Sequence, residues 1–367
     1  MFLAKRQKDG QKDKKTGVDD LHVRAATADD NAKLIAIEQM TPQGDQIKLV
    51  SERKDYFFRA KKYDEPIMLV AEDETQGDIL GIMGVGPVTV RLRGEMMRGG
   101  FVFDWRSNPL TQKGLPRHML RLWQAAQAEM ASRDLKFIFG YVKEDNERSL
   151  GILQKYGAKA VDTKEFLTMP VHARFSKDRS EVNRVTLARS VDSERERTVL
   201  QKNFGTLDFF AEPSQSSALV QQREKYTFGQ FAYGKSSAKV WDTNAEYTQR
   251  VLNMPRLYKL ARPLVSVGSK VVSLPRIPRL GDEIKMWQLY DLILDQPSHI
   301  FYLLERVRLA AKENNVDYLV ACMSPQDKGY EHVAKEAWVR LKYHVFFLPL
   351  TELPLPQGPT YFDVTYL

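Results

Sequence analysis

The sequence predicts an α/β chain of the α+β kind, built as two domains that are each a mixed, mostly antiparallel sheet flanked by helices. Three observations carry this. The 367 residues suffice for two domains at roughly 150 residues each. The first half reads β-α-β-β-β-α-β-α from its hydrophobic periodicity. The second half restarts that order: a helix, a strand and a helix expected from Pro116, Phe137 and Glu147 recur from Ser298, Asp317 and Tyr330, at offsets of 182, 180 and 183 residues. A near-constant offset over three elements argues for an internal duplication.

The elements follow in order. His22 to Ala26 reads as a short strand, and Thr27 followed by Asp30 has the spacing of a capping box that opens a helix through Ile35, Ile37 and Met40. Pro66–Ala71 and Ile79–Val85 alternate as strands around the turn Glu74–Asp78, which makes a hairpin. Gly100–Trp105 is a further strand. The helix from Pro116 to Arg133 carries Met119, Leu122, Trp123, Ala126 and Met130 at helical spacing. Phe137–Val142 is a strand, a helix runs from Glu147 to a stop at Gly157, and Lys159–Met169 closes the sheet.

Residues 170–184 are polar and aperiodic. The expected division is therefore a tail over 1–20, a first domain over 21–170, a connector over 171–184 and a second domain over 185–367. In the second domain Val185–Arg189 is the first strand, Ser298–Asn314 a helix, Asp317–Ser324 a strand, and Tyr330 opens another helix. The closing residues Tyr361–Tyr366 alternate as a half-buried strand.

Composition narrows the function. At 43% hydrophobic and 28% charged the chain is globular, and no apolar run approaches the length of a membrane span. Met1–Arg6 turns charged before a signal-peptide core can form, so a cytoplasmic protein is expected. The lone Cys322 rules out an internal disulfide, and no Cys/His spacing resembles a metal site. His299, His332 and His344 have no ligand-like spacing either. A net charge of +8 permits an anionic ligand without calling for a nucleic acid, and none is predicted.

The informative segment is Phe101–Leu120, a strand, a short basic loop bearing Gly114, and a helix. Such a junction aims backbone N–H groups and the positive end of a helix at one point, which suits a phosphate; an ordinary strand-to-helix turn has the same outline. Lys113, Arg117 and His118 would add positive charge there.

With Asn108-Pro109 after the strand, the glycine loop opening the helix, and Asn146 and Lys155-Tyr156-Gly157-Ala158 further on, the chain resembles the GNAT N-acetyltransferase superfamily in a tandem form. The resemblance covers residues 22–169 by motif and 185–350 by architecture. It implies that acetyl-CoA or another acyl-CoA is the cosubstrate, with no metal. The acyl group would pass to the amine of a small molecule or peptide. The cofactor side would comprise Trp105, Arg106, Gln112, Lys113, Gly114, Leu115, Arg117, His118, Asn146 and Ser149. The family's loop has Arg or Gln three residues before its first glycine, which here is Thr111 with Gln112 beside it, and its second glycine is replaced by Pro116. The tyrosine that commonly protonates the departing thiolate falls on Leu153, so Tyr156 or Tyr141 would have to stand in. Asp104 beside the expected thioester is the candidate base for the amine; a salt-bridged strand carboxylate is the alternative reading of the same residue.

The corresponding loop of the second half, Ile293–Ser298, has neither glycine nor a basic residue, and Asp295 would repel a phosphate. The second domain is therefore expected to be a degenerate copy that helps shape the acceptor pocket. Between Tyr247 and Gly281 the chain carries seven basic residues, Arg256, Lys259 and Arg262 among them at helical spacing, and no acidic one. That stretch is either a solvated face with a Pro-rich loop or a surface for an anionic acceptor or an acidic membrane. Two other activities fit the same outline, a non-catalytic acyl-CoA-binding or scaffold protein and an aminoacyl or peptidyl transferase.

Overall fold

A computed structural model describes residues 21–41, 48–111, 117–172, 179–189, 193–212, 217–253 and 278–366. The expected tail over 1–20, the core of the loop at 112–116 and the basic helix over 256–262 lie outside them.

The first half runs β1 (Leu21–Ala25), α1 (Asn31–Gln39), β2 (Lys48–Arg53), β3 (Ile67–Asp73), β4 (Asp78–Leu92), β5 (Glu95–Ser107), α2 (Arg117–Ser132), β6 (Phe137–Lys143), α3 (Glu147–Lys155) and β7 (Lys159–Pro170). The second runs α4 (Arg179–Asn183), β8 (Thr186–Ala188), α5 (Ser193–Phe204), α6 (Ser217–Tyr226), β9 (Thr227–Tyr233), β10 (Ser236–Trp241), β11 (Tyr247–Asn253), β12 (Glu283–Ile284), β13 (Met286–Ile293), α7 (His299–Glu313), β14 (Tyr318–Met323), α8 (Tyr330–Glu336) and β15 (Val339–Pro349).

Local signals place these elements. The Thr27 N–H donates to Asp30 Oδ2 at 2.8 Å, the expected cap ahead of α1. Along α2, Leu122, Trp123, Ala126 and Met130 are buried against the sheet, and each of the larger ones is worth about 1.5–3 kcal/mol of transfer free energy. β4 runs past the expected Val85 and β5 starts before the expected Gly100, so that the two meet in a hairpin the sequence reading did not contain. It closes at Arg93-Gly94, where both residues have positive φ, 53° and 92°, as a two-residue turn that follows the right-handed strand twist requires.

Twelve strands form one sheet in the order β1-β3-β4-β5-β6-β15-β7-β14-β13-β10-β9-β8. The order is a palindrome. Counting six strands per half, each half's sixth strand lies beside the other half's fifth, so β15 sits between β6 and β7, and β7 between β15 and β14. The Leu350 N–H bonds Lys136 O, and the Val171 N–H bonds Asp317 O, both at 2.9 Å. These matching bonds mark a local two-fold relation between the halves. A second, three-stranded sheet pairs β2 of the first half with β11 and β12 of the second.

Two expectations change. The connector at 171–184 contains α4. The closing residues are not a strand. Thr360 makes a single bridge to Asp208, and Val364–Tyr366 is a 3-10 turn. The alternation misled because this segment is covered on both sides: Tyr361, Val364, Thr365 and Tyr366 are all buried. Asp363 turns the chain by accepting the Thr365 N–H at 2.9 Å, which a strand geometry would forbid.

Candidate functional site

The site begins where two parallel strands separate. β5 and β6 pair only at Gly100↔Ile138 and Phe101↔Phe139. Beyond Phe101 they part, because the register of β5 against β4 shifts between Ile82 and Gly84. Asp104, with φ 51°, is the extra residue of this bulge. The bulge turns Phe103 and Asp104 to the same side of the sheet, toward α1, and sends Trp105 to the side covered by α2 and α3.

Asp104 is fully enclosed. Arg53 grips it with Nη1 to Oδ2 at 3.0 Å and Nη2 to Oδ1 at 2.9 Å, and Arg59 Nη1 reaches Oδ1 at 2.7 Å. Arg106 Nη2 lies 3.5 Å from Oδ1 and 3.0 Å from Glu38 Oε1. Burial by itself would raise the Asp104 carboxyl. The guanidiniums of Arg53, Arg59 and Arg106 outweigh it and hold the group well below the usual carboxylate range. A carboxylate so held is an anchor for guanidiniums and a poor proton acceptor at neutral pH.

On the α2 and α3 side Trp105 stacks on Trp123, centroids 5.8 Å apart, and Trp123 meets Tyr156 at 5.2 Å. Trp105 Nε1 is buried without a hydrogen-bond partner among the described residues, as is the Tyr141 hydroxyl on β6 across the split. Two orphaned polar atoms on either wall of the opening fit an elongated ligand threaded between the strands. Burial pushes the Tyr141 phenol well up.

The remaining expected positions divide. Arg117 is exposed at the start of α2. His118 is buried, Nε2 2.7 Å from Ser107 Oγ, and burial lowers it to about 4, so it is neutral at pH 7 and brings no charge to a phosphate. Arg106 points inward to Glu38 and Thr41. Asn146 Oδ1 accepts the Ser149 N–H at 3.1 Å and caps α3. Leu153 belongs to the core under α2 and α3. Thr111 ends a 3-10 turn over Pro109–Thr111, and Gln112, Lys113, Gly114, Leu115 and Pro116 lie outside the described residues.

Sequence reasoning missed Arg53, Arg59 and Glu38. Arg53 ends β2, a strand of the smaller sheet without clear alternation, and nothing in its neighbourhood announces a partner 51 residues away. Between the halves lies a narrow crevice lined by Phe58, Arg59, Trp241, Thr243, Tyr247 and Gln288. Gln288 Oε1 is buried there without a partner among the described residues. Arg59 joins this crevice to Asp104 and so to the split.

The second half repeats the bulge and closes it. Asp291 has φ 46° and is bound by Lys239 at 3.0 Å, Arg223 at 3.3 Å and the Tyr361 hydroxyl at 2.5 Å. Cys322, just past the last parallel pair Leu289↔Ala321, has its thiol pushed up by burial and is not a reactive thiolate. Among the described residues no group of His, Cys, Asp or Glu could hold a metal, and no helix is long and apolar enough to cross a membrane. Of the acid-free stretch 247–281, the described Arg250 pairs with Glu52 at 2.6 Å.

No family model and no curated protein matches the sequence. Solved structures do match. The N-myristoyltransferase of Saccharomyces cerevisiae with bound myristoyl-CoA superposes with a TM-score of 0.60 at 8% identity, over 90% of this chain and 79% of the other. A Pyrococcus horikoshii protein described as an acetyltransferase gives 0.52 at 10% identity, over 90% of both chains. At such identities the likeness speaks for architecture. The likeness gives this chain a fold of the GNAT and N-myristoyltransferase type.

Proposed function

We propose that the protein is an acyl-CoA-dependent N-acyltransferase whose first half binds the donor, with acetyl transfer to a primary amine as the starting reading. The observation that carries it is the split of β5 from β6 at the Asp104 bulge, with Trp105 Nε1 on one strand and the Tyr141 hydroxyl on the other, each without a hydrogen-bond partner among the described residues. The pantetheine arm would enter from the α2 and α3 side, past Trp105, Asn146 and Ser149, with Arg117 near the phosphates. The acceptor would approach through the crevice between the halves. The amine nitrogen forms a bond to the acyl carbon, the C–S bond breaks, and the ammonium proton leaves for water or the thiolate. Proximity supplies much of the rate. Asp104 keeps Arg53 and Arg59 in place and does not take the proton. Leu153, in the core on the α2 and α3 side, offers no acid; Tyr141, whose ring lies on the opposite side of the sheet, would have to reach the thiolate through the split to donate a proton to it.

The test is calorimetric titration with acetyl-CoA and CoA, followed by thiol release over an amine panel. One site per chain with amine-dependent CoA release supports the transferase. Binding without release favours the non-catalytic acyl-CoA-binding reading, which the buried Leu153 supports. Charged-tRNA binding in place of CoA favours the aminoacyl transferase. Arg117→Glu weakens CoA binding if the donor lies as described, and an unchanged affinity in a folded variant removes that assignment.

A further inference from the structure

On the α1 side of the split, the three rings that the parted strands present are each covered by a second ring. Tyr63 lies flat on Phe103, centroids 5.6 Å apart and planes 8° off parallel. Tyr366 lies flat on Phe101 at 4.4 Å and 13°. Phe362 meets Tyr141 edge-on at 5.3 Å. Two of these three covering rings come from the C-terminal segment, and Tyr63, Phe103, Phe101 and Tyr366 are all buried. The layer is seated on strand positions that have no side chain of their own. A Cβ at Gly86 would fall 2.3 Å from the Tyr63 ring, and one at Gly84 would fall 2.5 Å from Phe103. There is no slack beneath the rings into which they could sink.

We propose that this double ring layer sets the length of the acyl chain, limiting the donor to short acyl groups, with Tyr63, Phe103 and Tyr366 as the specificity-determining residues. The inference rests on the acyltransferase reading above. A donor entering from the α2 and α3 side delivers its acyl carbon at the split, and each further methylene must then advance into the α1 side, which the rings occupy. A two- or three-carbon group ends at the layer. A long chain must displace at least one stacked pair and lose its ring packing. The first solved structure compared above holds a fourteen-carbon acyl-CoA on a similar fold, so the architecture alone does not set the length and the local filling must.

The experiment titrates the full chain with acetyl-, butyryl-, octanoyl- and myristoyl-CoA, reading affinity by calorimetry and the rise in Tm, with CoA itself as the reference. Tyr366→Ala and Tyr63→Ala are run beside the wild type, and Phe103→Leu serves as a milder variant should an alanine fail to fold. The wild type is expected to bind acetyl-CoA at least about tenfold more tightly than octanoyl- or myristoyl-CoA, the discrimination that a closed apolar pocket gives. The variants are expected to accept chains several carbons longer. Equal wild-type affinity for acetyl- and myristoyl-CoA overturns the inference, as does an unchanged length profile in folded variants. Failure of CoA and of every acyl-CoA to bind overturns the donor-site reading itself, and so is told apart from failure of the length limit.

Discussion

Asp104 and Asp291 occupy matching places in the two halves. Each is a buried, non-glycine residue with positive φ, 51° and 46°, on the strand whose parallel neighbour begins to diverge a few residues earlier. Each is held by two cations within 3.3 Å, Arg53 and Arg59 for the first, Lys239 and Arg223 for the second. A left-handed backbone at such a residue carries strain that the surrounding structure must impose. Its recurrence in both halves makes the bulge part of the strand pattern that the two halves share.

Asp104→Asn leaves Arg53 buried against one carboxylate in place of two. Removing one partner of a buried ion pair costs about 3–5 kcal/mol, and urea unfolding should show a loss of that order. Asp291→Asn should cost a similar amount while CoA affinity stays unchanged, whereas Asp104→Asn should lower both. A loss of CoA affinity in Asp291→Asn would mean that the second half takes part in donor binding.

Acid sensitivity follows from the same group. The Asp104 carboxyl is held below its unfolded value of about 3.9, so its contribution is present above that pH and is lost as the pH falls below it toward the folded value. The Tm of the wild type should drop steeply below about pH 4, and Asp104→Asn should flatten that limb.

His118 acts in a different window. Its folded value of about 4 lies below the ordinary 6.5, so the unfolded chain binds the proton more readily. Stability from its neutral form is present above about pH 6.5 and declines between there and about pH 4. Ser107 Oγ is its hydrogen-bond partner at 2.7 Å. In His118→Gln the slope of Tm against pH over this interval should become shallower, and an identical slope would show that another group governs it.

The exchange of sixth strands makes the halves mutually dependent. Residues 21–184 without β15 would leave the facing edges of β6 and β7 unpaired. Expressed alone, this fragment should give the broad, poorly dispersed NMR spectrum of an uncooperative chain, and co-expression with residues 185–367 should restore a folded complex. A well-dispersed spectrum from the fragment alone would contradict this.

Much of the fold was legible because its strands and helices declare themselves locally. The hairpin turn at 74–78, α2 with its buried stripe, and the repeated helix-strand-helix pattern are short-range features of periodicity and capping, and the structure places them within a few residues of expectation, although β4 runs on to Leu92. The site was legible only in outline. Asp104 and Trp105 stood out by their position beside the loop, but the three guanidiniums around Asp104 could not be foreseen, since Arg53 reaches it from a different sheet.

The sequence by itself determined most of the first half's elements, the helix-strand-helix pattern that recurs in the second, the lack of glycine and basic residues in the loop Ile293–Ser298, and the leucine at position 153. Those are statements about residues and their near neighbours. It did not show β2 or the strands β9–β12. Only the tertiary structure decided that β7 and β15 exchange places, that Asp104 is an anchor, that His118 is buried and neutral, and that the last residues roof the split with Phe362 and Tyr366. Each of these depends on contacts between residues far apart in the chain, where burial and a partner's charge override what a residue's own neighbours imply.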